Sequence, residues 1–430
     1  MSDISLLELS QRNLAANAAP TPQANAFPAA VHIPFLRHLT RGAYSVFFIV
    51  NTCYIMQQII CKSKQRAQPL VGGARLGETS PLPFTPKSEY AKNNLTQGAI
   101  NQLKKILVLH TGGTISMSAN ASGDLQPNDE NPLVADVDME GMFHHQLQLI
   151  TEEIFNLPSP HVTPERMLEL RNRIVRAEND EGIDGVVITH GTDTLEETAY
   201  FLDLTLPNTI PVVVTGAMRG ANEIGSDGLH NFQSAVWTAN SDDARGKGVL
   251  VVMNDEVHTA RFVTKTHTTN VATFRTPTFG PIGLISKQHV NFFQELIQQT
   301  VCDIDHVIGG VYLLKAFAGM DGDLFDAIDQ PTTRGLVIEA LGAGNLPPAT
   351  LPALRRLLAH DIPVVLVSRC FNGIAEDVYD YEGGGVELKK MGVVFCRGLN
   401  GQKARIKLLV GLSNGMQGET LHHYVNNAFS

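Results

Sequence analysis

Gly185-Val186-Val187-Ile188-Thr189-His190-Gly191-Thr192-Asp193-Thr194 decides how the rest of this chain is read. Its apolar, β-branched start shows no polar alternation, the pattern of a strand buried on both faces in a parallel sheet. It then breaks into a glycine turn crowded with side-chain oxygens. The same grammar appears upstream, where Ile106-Leu107-Val108-Leu109 runs into His110-Thr111-Gly112-Gly113-Thr114. Turns at the carboxyl ends of parallel strands are where open α/β sheets hold their ligands. Glycine lets backbone approach a ligand closely, and free turn amides hold a developing negative charge. These turns present hydroxyls, so a hydroxyl attacking a carbonyl is the chemistry to weigh.

Outward from the two turns, strand patterns recur at Val212–Thr215, Val249–Met253, Val307–Tyr312, Leu336–Glu339 and Pro363–Ser368. Helical patterns lie between several of them, as at Pro164–Glu178 and Leu195–Leu204. Such alternation predicts an α/β fold with a doubly wound, mostly parallel sheet. A polar stretch, Gln288–Asp305, separates a larger N-terminal domain (101–290) from a smaller α/β C-terminal domain (305–430). That second domain is expected to end in a helix over Gln402–Leu412 and a polar tail. Residues 1–100 form an extension, read as mostly disordered or as a targeting or anchoring segment. Met1–Ala30 is rich in Ala, Asn, Gln and Pro without a sustained period. Gly42–Cys61 is more apolar, but Asn51-Thr52 and Gln57-Gln58 make it a poor spanning helix.

Composition narrows the function classes. The 430 residues are 43% hydrophobic and 18% charged, which suits a globular α/β protein. A formal net charge of −10 gives no electrostatic case for binding a phosphate backbone, so no nucleic-acid partner is expected. The five cysteines, Cys53, Cys61, Cys302, Cys370 and Cys396, lack metal-clip spacing. They read as buried free thiols in a reducing compartment, the cytoplasm, with secretion or anchoring through residues 42–61 as the alternative. The adjacent pairs His144-His145 and His422-His423 point to different helix faces, so no metal site is expected.

Three elements carry candidate chemistry. Asp193-Thr194-Leu195-Glu196 and Thr194-Leu195-Glu196-Glu197 each fit a capping box, the plainer local reading of those oxygens. Capping, however, uses one oxygen before a helix, and this turn carries three. Thr114 follows Gly112-Gly113 in a loop with neither a dinucleotide fingerprint nor a P-loop lysine, which favours a nucleophile or acyl clamp over phosphate binding. Lys265 sits in Val263-Thr264-Lys265-Thr266, with Thr268 and Thr269 beyond. A lone lysine there is ordinarily solvated; drawn inward among hydroxyls, it becomes a base for a threonine, with Asp193 to orient it.

The strings Thr111-Gly112-Gly113-Thr114-Ile115, His190-Gly191-Thr192-Asp193-Thr194 and Val263-Thr264-Lys265-Thr266, in this order, resemble bacterial L-asparaginases. Glu197–Leu202, Thr215–Arg219, Gly248–Asp255 and Gln402–Arg405 fit as well, so the likeness runs from Ile106 to the C-terminus. It implies an amidohydrolase that converts L-asparagine to L-aspartate and ammonia through a threonine nucleophile and a β-aspartyl-enzyme intermediate, with a possible glutaminase side activity. Carried over by position, Thr114 is the nucleophile, and Thr192, Lys265 and Asp193 form a second triad. Asp193 also takes the substrate's α-amino group and Ser159 its α-carboxylate. The resemblance further implies no cofactor, and a homodimer or homotetramer with sites at the subunit interface.

The chain departs from the family pattern in places. No tyrosine occurs between Tyr90 and Tyr200, so the lid expected over Asn120–Pro132 lacks the family's tyrosine. Pro160 stands where a glutamine often follows the substrate serine, and the neighbouring-subunit glutamate has three candidates, Glu376, Asp380 and Glu382. Two other readings share these motifs: a glutamine-deamidating subunit of a tRNA-dependent amidotransferase, and a non-catalytic amino-acid sensor.

Overall fold

The computed structural model describes residues 103–128, 139–144 and 146–428. The extension 1–100 with its segment 42–61, Cys53, Cys61, His145 and residues 129–132 of the expected lid lie outside the described residues.

The chain enters as β1 (Lys104–His110), then forms a hairpin of β2 (Met117–Ala119) and β3 (Leu125–Pro127) over part of the expected lid. A helical turn, α1 (Met139–Met142), precedes β4 (Leu147–Glu153). The alternation then proceeds through α2 (Pro164–Asp180), β5 (Gly185–Thr189), α3 (Leu195–Thr205), β6 (Val212–Thr215), α4 (Gly228–Asn240) and β7 (Val249–Met253). Next come β8 (Glu256–Thr259), a small pair of β9 (Thr264–Lys265) and β10 (Phe274–Arg275), and the strands β11 (Gly283–Ser286) and β12 (His289–Phe292).

These build an eight-stranded sheet in the order β12-β11-β8-β7-β6-β5-β1-β4. The five strands from β4 to β7 run parallel, and β8, β11 and β12 add antiparallel neighbours at one side. Alternation within β1 shows why both sides are apolar. Leu107 and Leu109 pack on one face with α2 and α3, while Ile106 and Val108 pack on the other with Phe232 and Trp237 of α4. That is a doubly wound sheet. The chain leaves β1 for β4 on one side and returns through α2 to β5 on the other. The carboxyl ends of β1 and β5 therefore flank a switch point in strand order, where such sheets open a crevice.

The distal lobe holds a four-stranded parallel sheet, β13 (Val311–Lys315), β14 (Gly335–Ala340), β15 (Val364–Ser368) and β16 (Val394–Phe395), in that order. Between these strands run α5 (Asp323–Ile328), α6 (Leu351–Ala359) and α7 (Gly385–Lys390), and the chain closes with α8 (Gly401–Ser413) and α9 (Gly418–Val425). Ile406, Leu408 and Leu409 of α8 join one apolar layer with Phe201 and Leu202 of α3, so the two sheets share a core through these helices.

Several expectations need correction. The strand expected at Val307–Tyr312 forms instead at Val311–Lys315, because Gly309 and Gly310, the latter at φ 74°, break the chain before it. Pro363 stays outside β15, since proline has no N–H for the ladder. The polar tail is helix α9, which buries Leu421, Tyr424 and Val425 at helical spacing. Strand β12 lies within the polar stretch Gln288–Asp305. Cys302 and Cys396 are buried, but Cys370, in the loop after β15, is exposed. His422 and His423 are exposed. Among the described residues no helix is long and apolar enough to cross a membrane.

Candidate active site

Three loops meet at the switch point, and their backbones define it. Strands β1 and β5 end in register, with His110 opposite Thr189. The Thr111 amide and hydroxyl both donate to the Thr189 carbonyl, at 3.1 and 2.8 Å, and the Leu157 amide donates to the Thr111 carbonyl at 3.1 Å. Gly113 has φ 86°, and a Cβ there would lie 2.2 Å from the Gly191 Cα. A Cβ on Gly191 would in turn lie 2.7 Å from the Ser159 Cβ. Only glycine lets the three loops stack this closely, and the turns that carry Thr114 and Thr192 are thereby packed backbone to backbone.

Thr192 is buried, 6% exposed, and its hydroxyl accepts from Lys265 Nζ at 2.9 Å. The same nitrogen donates to Asp193 Oδ1 at 2.7 Å. The Lys265 side chain is 17% exposed and that of Asp193 is 61% exposed, so the lysine is drawn in while the carboxylate faces the mouth. Lys265 is therefore not solvated. What draws it in is Thr192 and Asp193 rather than its own neighbours, because Thr266, Thr268 and Thr269 are exposed. Ser159 is buried, and its Oγ accepts from the Asp193 amide at 3.1 Å. Thr114 opens a short helical turn, Thr114–Ser116, and is half-buried; among the described residues its hydroxyl has no hydrogen-bond partner. Expected site residues Thr192, Asp193 and Lys265 thus form one hydrogen-bonded cluster, with Ser159 against its backbone and Thr114 on the adjoining turn.

The capping boxes do not form. Thr194 is the N-cap of α3 but makes no side-chain cap, and its hydroxyl donates to the Ser159 carbonyl at 2.8 Å. Glu196 turns away from its own helix end. Its Oε1 accepts from Thr264 Oγ1 at 2.9 Å and from the Lys265 amide at 3.1 Å. Its Oε2 accepts from Asn400 Nδ2 at 3.0 Å. Tertiary donors on β9 and at the start of α8 outcompete the local turn for these oxygens.

Two buried histidines stand behind the turns. His110 Nδ1 lies 2.7 Å from Thr189 Oγ1. His190 Nδ1 donates to the Gly191 carbonyl at 2.7 Å, and its Nε2 lies 3.0 Å from Thr198 Oγ1. Burial lowers the pKa of each imidazole to about 4, so both are neutral at neutral pH. Burial likewise pushes the ammonium of Lys403, 1% exposed, down to about 8.

Sequence reasoning placed Thr264 beside Lys265 but missed Glu196, Asn400 and Lys403 as neighbours of this cluster. The only local sign was an excess of oxygens at the head of α3, more than a cap can use. Asn400 and Lys403 lie more than a hundred residues away; Lys403 falls in the family-like stretch Gln402–Arg405, but nothing local ties either residue to this site. Among the described residues no group of three or more His, Cys, Asp or Glu side chains is placed to hold a metal ion.

Comparison with known proteins gives the same outline. Residues 105–298 match the family model for the asparaginase N-terminal domain, and residues 310–425 match that for the glutaminase/asparaginase C-terminal domain. The chain is 36% identical over 316 residues to an L-asparaginase of Bacillus licheniformis, covering 73% of this chain and 97% of that one. It is 40% identical over 325 residues to a probable L-asparaginase of Deinococcus radiodurans, covering 74% and 96%. The crystal structure of a probable cytoplasmic L-asparaginase from Campylobacter jejuni superposes with a TM-score of 0.67 at 33% identity, covering 75% of this chain and 99% of that one. With both lobes matched in order, this chain belongs to the asparaginase family.

Proposed function

We propose that the protein hydrolyses L-asparagine to L-aspartate and ammonia, with Thr114 as nucleophile and Thr192, Lys265 and Asp193 as its acid–base partner set. The observation that carries this reading is Lys265 Nζ held at 2.9 Å from Thr192 Oγ1 and 2.7 Å from Asp193 Oδ1, on the turn packed against that of Thr114. Asp193 and Ser159 grip the amino-acid end, so binding energy orients the side-chain amide. Thr114 Oγ attacks the amide carbon and gives up its proton, while turn amides hold the oxyanion. The C–N bond breaks, and the nitrogen leaves with a proton as ammonia. A water then attacks the β-aspartyl ester, giving its proton to Thr192 Oγ1 as the Thr192 hydroxyl proton passes to the neutral amine of Lys265. The C–O bond to Thr114 breaks, its hydroxyl regains a proton, and aspartate departs. No metal or organic cofactor enters these steps.

A second copy of the chain completes the site in this reading, as a homodimer or homotetramer. The loop after β15 supports it: Phe371, Ile374, Val378, Tyr379 and Tyr381 are exposed, 47–60%, beside the exposed acids Glu376, Asp380 and Glu382.

Ammonia release from L-asparagine and L-glutamine tests the proposal, run beside Thr114→Ala, Thr192→Val and Lys265→Met. Each variant is expected to lose turnover by about 10³-fold or more while keeping its fold. Wild-type rates in Thr114→Ala and Thr192→Val would remove the mechanism. Binding without ammonia release would mark an amino-acid sensor. Release that needs a partner and charged tRNA would mark an amidotransferase subunit.

A further inference from the structure

Lys265 lies on a two-residue strand that pairs only with β10, outside the eight-stranded sheet. The sheet therefore does not hold its backbone. A buried carboxylate does. Glu196, 4% exposed, faces the strand with Oε1, which accepts from both Thr264 Oγ1 and the Lys265 amide. Its other oxygen faces the distal lobe, accepting from Asn400 Nδ2 and lying 3.7 Å from Lys403 Nζ. The Lys403 ammonium also donates to the carbonyls of Ala260 and Val263, on the segment that leads into β9. Asn400 is meanwhile fixed as the N-cap of α8, its Oδ1 accepting from the Lys403 amide at 3.1 Å.

A buried carboxylate is costly unless its charge is paired and its lone pairs are filled, and here both conditions hold. The contacts also converge on one side chain. Thr192 and Asp193 hold the tip of Lys265, and Glu196, three residues beyond Asp193 at the head of the same helix, holds its backbone. Base and base-holder are clamped to a single rigid segment.

We propose that Glu196 is the positioning residue for Lys265, and that Asn400 and Lys403 of the distal lobe hold Glu196 for that task. The proposal rests on the reading above in which Lys265 serves Thr192. Glu196 touches no substrate. Its effect is on the placement of the lysine, where a displacement of about 1 Å costs about a hundredfold in rate.

The test uses the full chain and measures kcat and KM for L-asparagine per folded molecule, with the folded fraction taken from circular dichroism. Glu196→Ala is expected to lower kcat about a hundredfold and to leave KM within about threefold, because Asp193 and Ser159 still grip the substrate. Glu196→Gln keeps an oxygen for the Lys265 amide and recovers about tenfold of that loss. Asn400→Asp keeps the helix cap but sets a carboxylate against Glu196 Oε2, and lowers kcat about tenfold. Wild-type kcat in Glu196→Ala overturns the proposal, as does a loss in Glu196→Gln as deep as in Glu196→Ala. Should Glu196→Ala not fold, wild-type kcat in Glu196→Gln and Asn400→Asp together overturns it. Lys265→Met separates the two ideas. Full activity in that variant refutes the role of the lysine itself, whereas its loss beside active Glu196 variants refutes only the brace.

Discussion

Acid should destabilise this protein through His110 and His190, and the structure sets the size of the effect. Both side chains are buried, 1% and 0% exposed, and burial holds each imidazole near a pKa of about 4, against an ordinary value of 6.5. His110 Nε2 has no partner to receive a second proton, and both His190 nitrogens are already occupied. Between pH 6.5 and 4 the unfolded chain therefore binds protons that the native one refuses, so stability falls as pH falls through that window. A shift of this size corresponds to about 3 kcal/mol per histidine once both states are fully protonated, and to roughly 2–3 kcal/mol each at pH 4.5. Urea titrations of the wild type, His110→Gln and His190→Gln at pH 7.5 and 4.5 measure it. Each variant loses stability at pH 7.5 from its altered contacts, but the gap to wild type should narrow by roughly 2–3 kcal/mol at pH 4.5. A gap of equal size at both pH values refutes the argument, since other titrating groups change both proteins alike.

Gly113→Ala places a Cβ 2.2 Å from the Gly191 Cα at φ 86°. Backbone strain and overpacking of about 1–3 kcal/mol each should lower the urea midpoint and abolish ammonia release together. Leu421→Ala in α9, at a position 2% exposed, should cost about 2–5 kcal/mol by the same titration, with KM unchanged. A cost below about 0.5 kcal/mol would mean that α9 does not pack in solution.

The strands legible from the chain are those whose partners impose nothing unusual on them. Val212–Thr215 and Val249–Met253 lie at their expected bounds because each is an unbroken run, mostly β-branched and buried throughout. Strand β4 was not read, since Leu147-Gln148-Leu149-Ile150-Thr151-Glu152-Glu153 mixes polar and apolar residues, as an edge strand with one solvated side does. Likewise β8, β11 and β12 are short; β7–β8 and β11–β12 close through two-residue turns at positive φ, Asn254-Asp255 and Lys287-Gln288, which contain no glycine to mark them, and β8–β11 joins distant segments. In the site, Thr192, Asp193 and Lys265 had motif spacing to mark them. Glu196 did not: in sequence it is the last letter of a capping box, and only the fold shows that its carboxylate belongs to Lys265 and Asn400.

The reach of α8 across to Glu196 bears on how the protein is born. A ribosome delivers Thr114, Ser159, Thr192, Asp193 and Lys265 long before it delivers Asn400 and Lys403, whose side chains meet the Glu196 carboxylate. Until then Phe201 and Leu202 also lack Ile406, Leu408 and Leu409, the side chains that cover them in the finished molecule. The nascent chain thus carries the switch-point turns beside uncovered apolar helix surface and a Glu196 carboxylate that lacks its distal partners. Holding the Glu196 carboxylate in place is thus a task that the first lobe leaves to residues made well after it.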